Sequence, residues 1–145
     1  MVHFERLDDG KNTRIHGEIT GLATGKHGFH IHETADTTKC CDSLGDHYNP
    51  FNKKHGARVV IDSNGNTITN LNRHVGDMGN IEANDTGRSV FDFTDSLIKI
   101  DDVLGRSIIV HSGTDDLGMT GTVDSHKSGN SGSKIACGII GRASK

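Results

Sequence analysis

Apolar and polar residues alternate along short stretches of this chain, at Val2 to Arg6, Thr13 to Thr20, His27 to Glu33, Ile81 to Asn84, Ser89 to Thr94, Ser107 to His111 and Lys134 to Ile140. A period of two sends successive side chains to opposite faces, so each stretch reads as a strand with one face turned to a core. The run Val59-Val60-Ile61, followed by Asp62-Ser63-Asn64-Gly65-Asn66 and Thr67-Ile68-Thr69, predicts a hairpin turning through Asn-Gly. Asp95 to Leu104 carries one apolar stripe (Leu97, Ile98, Ile100, Val103 and Leu104) and fits a short strand leading into a connection, although periodicity alone leaves it ambiguous. Few helical patterns compete. Many short strands in one small chain imply an all-β sandwich or closed barrel, and there is no repeat, linker or low-complexity tract.

Composition sharpens this picture. The 145 residues suffice for one core, so residues 1–145 are expected to form a single domain. Hydrophobic residues make up 32% and aromatic residues 4%, against 19 glycines, which calls for an economical core and strands joined by glycine-rich turns. No apolar run approaches bilayer length, and Met1-Val2-His3-Phe4-Glu5-Arg6 lacks a signal-peptide pattern; no membrane association and a cytoplasmic location are therefore expected. A net charge of -3 argues against nucleic-acid binding, which calls for a basic face.

The histidines carry the chemistry. In Gly28-Phe29-His30-Ile31-His32, two imidazoles separated by one residue face the same side of a strand, and His111, ending the apolar run Ser107 to Val110, can approach from a second strand. Three neutral nitrogens suit copper or zinc. His47, His55, His74 and Asp77 lie in glycine- and asparagine-rich sequence able to wrap an ion, and three imidazoles with one carboxylate match tetrahedral zinc. Scattered surface histidines are the bland alternative, disfavoured because HxH and HxxD pairs occur together in one short chain. His3 and His16 read as strand surface residues; His126 lies outside the pattern, and His27 is near enough to His30 to fix a neighbouring backbone group or ligand.

The strings Gly28-Phe29-His30-Ile31-His32-Glu33, Gly45-Asp46-His47-Tyr48-Asn49-Pro50, Lys54-His55-Gly56, Arg73-His74-Val75-Gly76-Asp77-Met78-Gly79-Asn80, Val110-His111, Asp115-Asp116-Leu117-Gly118 and Ala136-Cys137-Gly138-Ile139-Ile140-Gly141 resemble the copper/zinc superoxide dismutase family, in the family's order. The resemblance implies a Greek-key β-barrel or sandwich with long metal-binding and electrostatic loops. It implies copper held by His30, His32, His47 and His111, and zinc held by His47, His55, His74 and Asp77, with His47 bridging the two ions. Asp115 takes the place of the carboxylate that orients histidines of both sites. The implied reaction disproportionates superoxide to oxygen and hydrogen peroxide by copper redox cycling, with zinc structural.

Several positions depart from the family. Lys134 stands where an arginine usually flanks copper in the active-site channel; lysine keeps the charge but loses the planar fork of donors, which predicts a slower enzyme whose rate falls with added salt. Val123, Asp124 and Lys127 replace an acidic pair and a lysine in the loop upstream. Cys41 and Cys137 match the family's intrasubunit disulfide, which closes a loop of about 100 residues and in the chain-entropy model stabilises by about 4 to 5 kcal/mol. Of the three cysteines, Cys40 is left over, at a position usually held by glycine. The family has a further strand before the one matching Val2 to Arg6, and the chain is expected to lack it. The segment between His55 and His74 is longer than usual and contains the hairpin; it is expected to extend the zinc loop. A homodimer is implied through Thr34, Ala35, Leu104, Gly105, Ile139, Ile140 and Arg142, where Thr34 and Arg142 make the interface less apolar than usual. A copper chaperone is a possible partner. The competing function is a weak or inactive homologue that binds or buffers copper or docks a partner; a hydrolytic zinc site is disfavoured because four protein ligands leave zinc no open position.

Overall fold

The computed structural model describes residues 1–39 and 41–144. In chain order the elements are β1 (Val2–Arg6), β2 (Thr13–Ile19), β3 (Gly25–His32), β4 (Val59–Ile61), β5 (Thr67–Thr69), β6 (Asp77–Ala83), β7 (Ser89–Asp95), α1 (Ile100–Val103), β8 (Ser107–His111), α2 (Val123–Ser128) and β9 (Lys134–Ile139). Antiparallel pairing builds a three-stranded sheet in the order β1-β2-β7 and a four-stranded sheet in the order β6-β3-β8-β9. The non-sequential neighbours are those of a Greek-key sandwich.

The alternating sequences bury one face each. Ile15 from β2, Phe29 and Ile31 from β3, Ile81 from β6 and Val110 from β8 are all buried between the sheets, joined by Ile98, Val103 and Ile140 from the connections. Phe29 and Phe91 meet across the two sheets with ring centroids 5.1 Å apart. Fully burying a side chain of this size contributes about 1.5 to 3 kcal/mol, so a few large residues carry an aromatic-poor core.

Closure differs from the barrel alternative. Among the described residues β1 and β9 are sheet edges that do not pair with each other, so the molecule is an open sandwich. A depression lined by Val2, Phe4, Leu104, Ile108 and Ile139 runs between these edges. Their separation follows from β1 being outermost in its sheet, with no neighbour to bridge to β9.

The predicted hairpin is present, with Val60 opposite Ile68. It sits at the far edge of the three-stranded sheet: Arg58 at its base donates to Thr94 O (3.2 Å) and lies over the Phe93 ring of β7. The insertion therefore extends the loop before His74 and does not reach the seam at β1. Asp95 to Leu104 resolves into a bend and the one-turn helix α1. The six-residue α2, not anticipated from periodicity, is fixed by its ends. Thr122 accepts a hydrogen bond from Ser125 N at its start, and Gly129 closes it with φ 73°, a left-handed conformation favoured by glycine. Cys41 and Cys137 form a disulfide with Cα atoms 5.8 Å apart, tying the loop after β3 to β9. Cys40 lies outside the described residues. Among the described residues no helix is long and apolar enough to cross a membrane.

Candidate metal centre

Strand geometry supplies the first half of the site. His30 and His32 leave β3 on the same face and are buried, at 0% and 2% exposure. β8 lies beside β3, and an irregularity between Val110 and His111 in the pairing with β9 offsets His111 at the strand end. His47 is brought alongside by an isolated bridge to His32. One ligand atom from each of His30, His32, His47 and His111 lies within 4.8 Å of the others.

Each of these rings is held by one nitrogen. His30 Nε2 lies 2.7 Å from Asp115 Oδ2, His32 Nδ1 donates to Gly45 O (2.8 Å), His111 Nδ1 donates to Gly132 O (3.1 Å) and His47 Nδ1 lies 2.8 Å from Asp77 Oδ1. The opposite nitrogens, His30 Nδ1, His32 Nε2, His47 Nε2 and His111 Nε2, are buried without a hydrogen-bond partner. A buried acceptor left alone is costly, and four converging ones are accounted for by a soft or borderline cation.

The second half gathers around Asp77, at the start of β6 and in register with His30 of β3. His47 Nδ1, His55 Nδ1 and His74 Nδ1 approach Asp77 Oδ1 to 2.8, 2.9 and 3.3 Å, and His74 Nδ1 is 3.3 Å from His47 Nδ1. His55 Nδ1 has no hydrogen bond despite its proximity. His30 also falls within 4.8 Å of His47, His55 and Asp77 donors. His74 is not in that group, but with Nδ1 3.3 Å from Asp77 Oδ1 it is placed beside His47, His55 and Asp77, and three imidazoles with one carboxylate match a tetrahedral zinc pattern. Asp77 Oδ2 accepts from the backbone of Gly56 and His74, both at 3.1 Å, which fixes the carboxylate.

Asp115 links the two halves. Its oxygens lie 2.7 Å from His30 Nε2 and 2.7 Å from His55 Nε2, with all three side chains fully buried. Leu117 N and Asn80 fasten the Asp115 segment from outside. Burial pushes its pKa up, but hydrogen bonds from His30 and His55 outweigh this and hold it at about 2. Asp77 is likewise held well below the ordinary carboxylate range: burial raises it, but the hydrogen bond from His47 and the close approach of His55 and His74 overcome this. Burial lowers His30 to about 3 and His32 to about 2, and it lowers His47 and His111 as well, so these rings stay neutral as ligands must. In the metal-free chain His55 goes the other way: burial opposes its charge, but the hydrogen bond to Asp115 and the nearby Asp77 carboxylate raise it to about 9.

Lys134 opens β9 opposite His111, with Nζ 3.4 Å from Gly45 O, the carbonyl that orients His32. Its charge adds to the lowering of both His32 and His111. A shallow depression over His47 and His74 is rimmed by Lys53, Lys54, His126 and Lys127, facing Glu33 and Asp46. His27 Nδ1 lies 2.8 Å from the carbonyl of His111 rather than against His30. His3 and His16 lie elsewhere, on the three-stranded sheet.

Other supporting groups were not anticipated. Arg73 is 1% exposed; its Nη2 donates to Asp95 Oδ2 (2.7 Å) and its Nη1 to Arg58 O (2.8 Å), pinning the segment that delivers His74. Gly129 is a second: a Cβ there would collide with the Asp115 carboxylate and the His55 ring. His126 contributes its backbone, accepting from His55 N at 2.8 Å.

A histidine-only compartment, joined through His47 to a histidine and carboxylate compartment on a Greek-key sandwich, defines a protein built for two metal ions. The model of copper/zinc superoxide dismutase matches residues 1–140. Superoxide dismutase [Cu-Zn] 5 of Dictyostelium discoideum is 44% identical over 143 residues, covering 97% of this chain and 88% of that protein. The chain belongs to the copper/zinc superoxide dismutase family, whose members are oxidoreductases with copper and zinc as cofactors.

Proposed function

We propose that this chain, folded as one domain, disproportionates superoxide with His30, His32, His47 and His111 as copper ligands and His47, His55, His74 and Asp77 as zinc ligands. The observation that carries this reading is His47. Its Nδ1 is engaged within the Asp77 group while its buried Nε2 is without a partner in the other group. Only an imidazole, with two ring nitrogens, can serve both compartments in this way.

Copper, when bound, supplies a reversible one-electron couple; zinc supplies a fixed charge. Across one cycle two superoxide ions and two protons give one oxygen and one hydrogen peroxide. His47 would offer Nε2 to copper and, when not so engaged, would hold one of those protons there, its ring kept in place by the Asp77 group. Asp115 keeps His30 and His55 in fixed tautomers throughout. Lys134, with the rim formed by Lys53, Lys54 and Lys127, attracts an anion to a protein of net charge -3. A lysine in the Lys134 position gives a point charge where an arginine would give a planar fork, so turnover is slower than with arginine.

Metal quantification combined with a superoxide-consumption assay on copper-loaded protein tests the reading. Stoichiometric copper and zinc with turnover that declines as salt is added is expected; bound copper without turnover would instead identify a copper carrier or store. Lys134→Arg is expected to raise the catalytic rate, and an unchanged rate would remove Lys134 from the steering account. A homodimer in the cytoplasm accompanies the proposal. Ile139, 57% exposed, is the main apolar side chain of its interface, whereas Ile140, at 7%, belongs to the core.

A further inference from the structure

The outer face of the three-stranded sheet carries a second cluster of metal-ligating side chains, on exposed and half-buried strand positions apart from the buried centre. His3 of β1 is the register partner of His16 of β2, and His16 is the register partner of Asp92 of β7. Directly opposed residues on one sheet face have Cβ atoms about 4.5 to 5.5 Å apart, so the three side chains form a row across three strands. The two imidazoles stack with centroids 5.1 Å apart and planes 21° from parallel. Glu5, two residues along β1 and therefore on the same face as His3, brings Oε2 to 3.7 Å from His16 Nε2. His3, His16 and Asp92 line one shallow surface depression together with Val90 and Phe91.

We propose that His3 and His16 form a solvent-accessible site for a divalent transition ion, copper(II) foremost, with Glu5 or Asp92 as the carboxylate ligand. Two imidazoles and a carboxylate are the donor set such ions prefer, and the Irving–Williams order places copper(II) highest among them. The stacked rings do not yet converge on one point. Turning each about its Cβ–Cγ bond brings one nitrogen from each toward a shared ion, a soft motion for side chains on a sheet surface. Both carboxylates lie beside one shared cation, Arg14, 2.6 Å from Asp92 Oδ2 and 3.5 Å from Glu5 Oε2, on exposed side chains that a bound ion can draw away. Lying on an exposed sheet face, this site is open to water or an exchanging ligand, which suits reversible uptake of the metal.

The test uses the full chain with its buried copper and zinc positions filled. It is titrated with copper(II) alone while paramagnetic resonance and equilibrium dialysis follow any additional ion. One further equivalent with a nitrogen-coordinated copper(II) signal is expected. His16→Gln is expected to weaken its binding by at least about tenfold, with superoxide turnover unchanged. His3→Gln should match it, and Val90→Thr on the same face should leave binding intact. No additional equivalent, or an additional equivalent that survives His16→Gln, would overturn the proposal. Because turnover is read separately, failure here leaves the dismutase reading untouched, and loss of turnover in the unaltered protein leaves the surface site untouched.

Discussion

The buried metal centre and the outer face of the three-stranded sheet treat charge in opposite ways. On the four-stranded sheet and its loops, Asp77, Asp115 and their histidines are buried, the carboxylate oxygens held by particular ring nitrogens. On the three-stranded sheet, Arg14, Asp92, Glu5, Glu18 and Arg88 make pairs whose side chains remain open to water. Exposed pairs are screened and contribute little, whereas a buried ion whose partner is removed is stranded in a poorly polarisable interior. The contrast shows where the fold has accepted the cost of desolvation: around the metal ligands and along the segment that delivers them.

The sharpest way to break the comparison is to unpair a buried charge. Arg73→Met leaves Asp95 uncompensated between the sheets and should destabilise the metal-free protein by about 3 to 5 kcal/mol, read as a fall in Tm. Asp95 also caps Leu97 N and Ile98 N, so part of the loss reflects a disturbed turn. A double variant Arg73→Met, Asp95→Asn, which removes the stranded charge, should recover part of the stability. An unchanged Tm in the single variant would show that the buried pair does not hold this segment.

Titration gives an intermediate effect. In the metal-free chain, His30 and His32 have folded pKa values of about 3 and about 2, below the ordinary 6.5, and His47 and His111 are also lowered. Their contribution to stability is complete above 6.5 and is lost as pH falls toward the folded values, because the unfolded state takes up protons first. His55, raised to about 9, has the opposite sign: its contribution is complete below 6.5 and lost as pH rises to 9. Four groups act on the acid side and one on the alkaline side. Tm of the metal-stripped protein should therefore fall more between pH 6.5 and about 4.5 than between pH 6.5 and about 9. Equal losses on both sides would contradict the burial of these rings in the metal-free state.

The smallest effect belongs to the exposed sheet. Arg14→Met removes the partner of Asp92 and Glu5, yet thermal melting should be indistinguishable from the parent at moderate salt. A clear destabilisation would show that the outer row is structurally coupled to the core, and would weaken the contrast between the two regions.

The residues that deliver the centre were largely legible in the chain. His30 and His32 follow from strand alternation, and the Val59 to Thr69 hairpin from its Asn-Gly turn. Harder to read were features whose signal depends on distant partners. Helix α2 has no apolar stripe; its shape is imposed by the cap at Thr122, the left-handed Gly129 and packing against the His55 and Asp115 pair. Arg73 has nothing local to mark it as buried, since its partner Asp95 is 22 residues away. The extra length before His74 was visible, but its place against β7 required the contact of Arg58 with Phe93.

By itself the sequence determined the strand pattern, the ligand types and their order, because alternation and donor chemistry are local properties. Only the tertiary structure decided which nitrogen of each ring is free, that Asp115 joins the two compartments, and that the sheets remain open between β1 and β9. It also set His3, His16 and Asp92 in one row. These outcomes depend on which strands become neighbours and on what each buried polar atom finds beside it, and neither is fixed until the sheets pack.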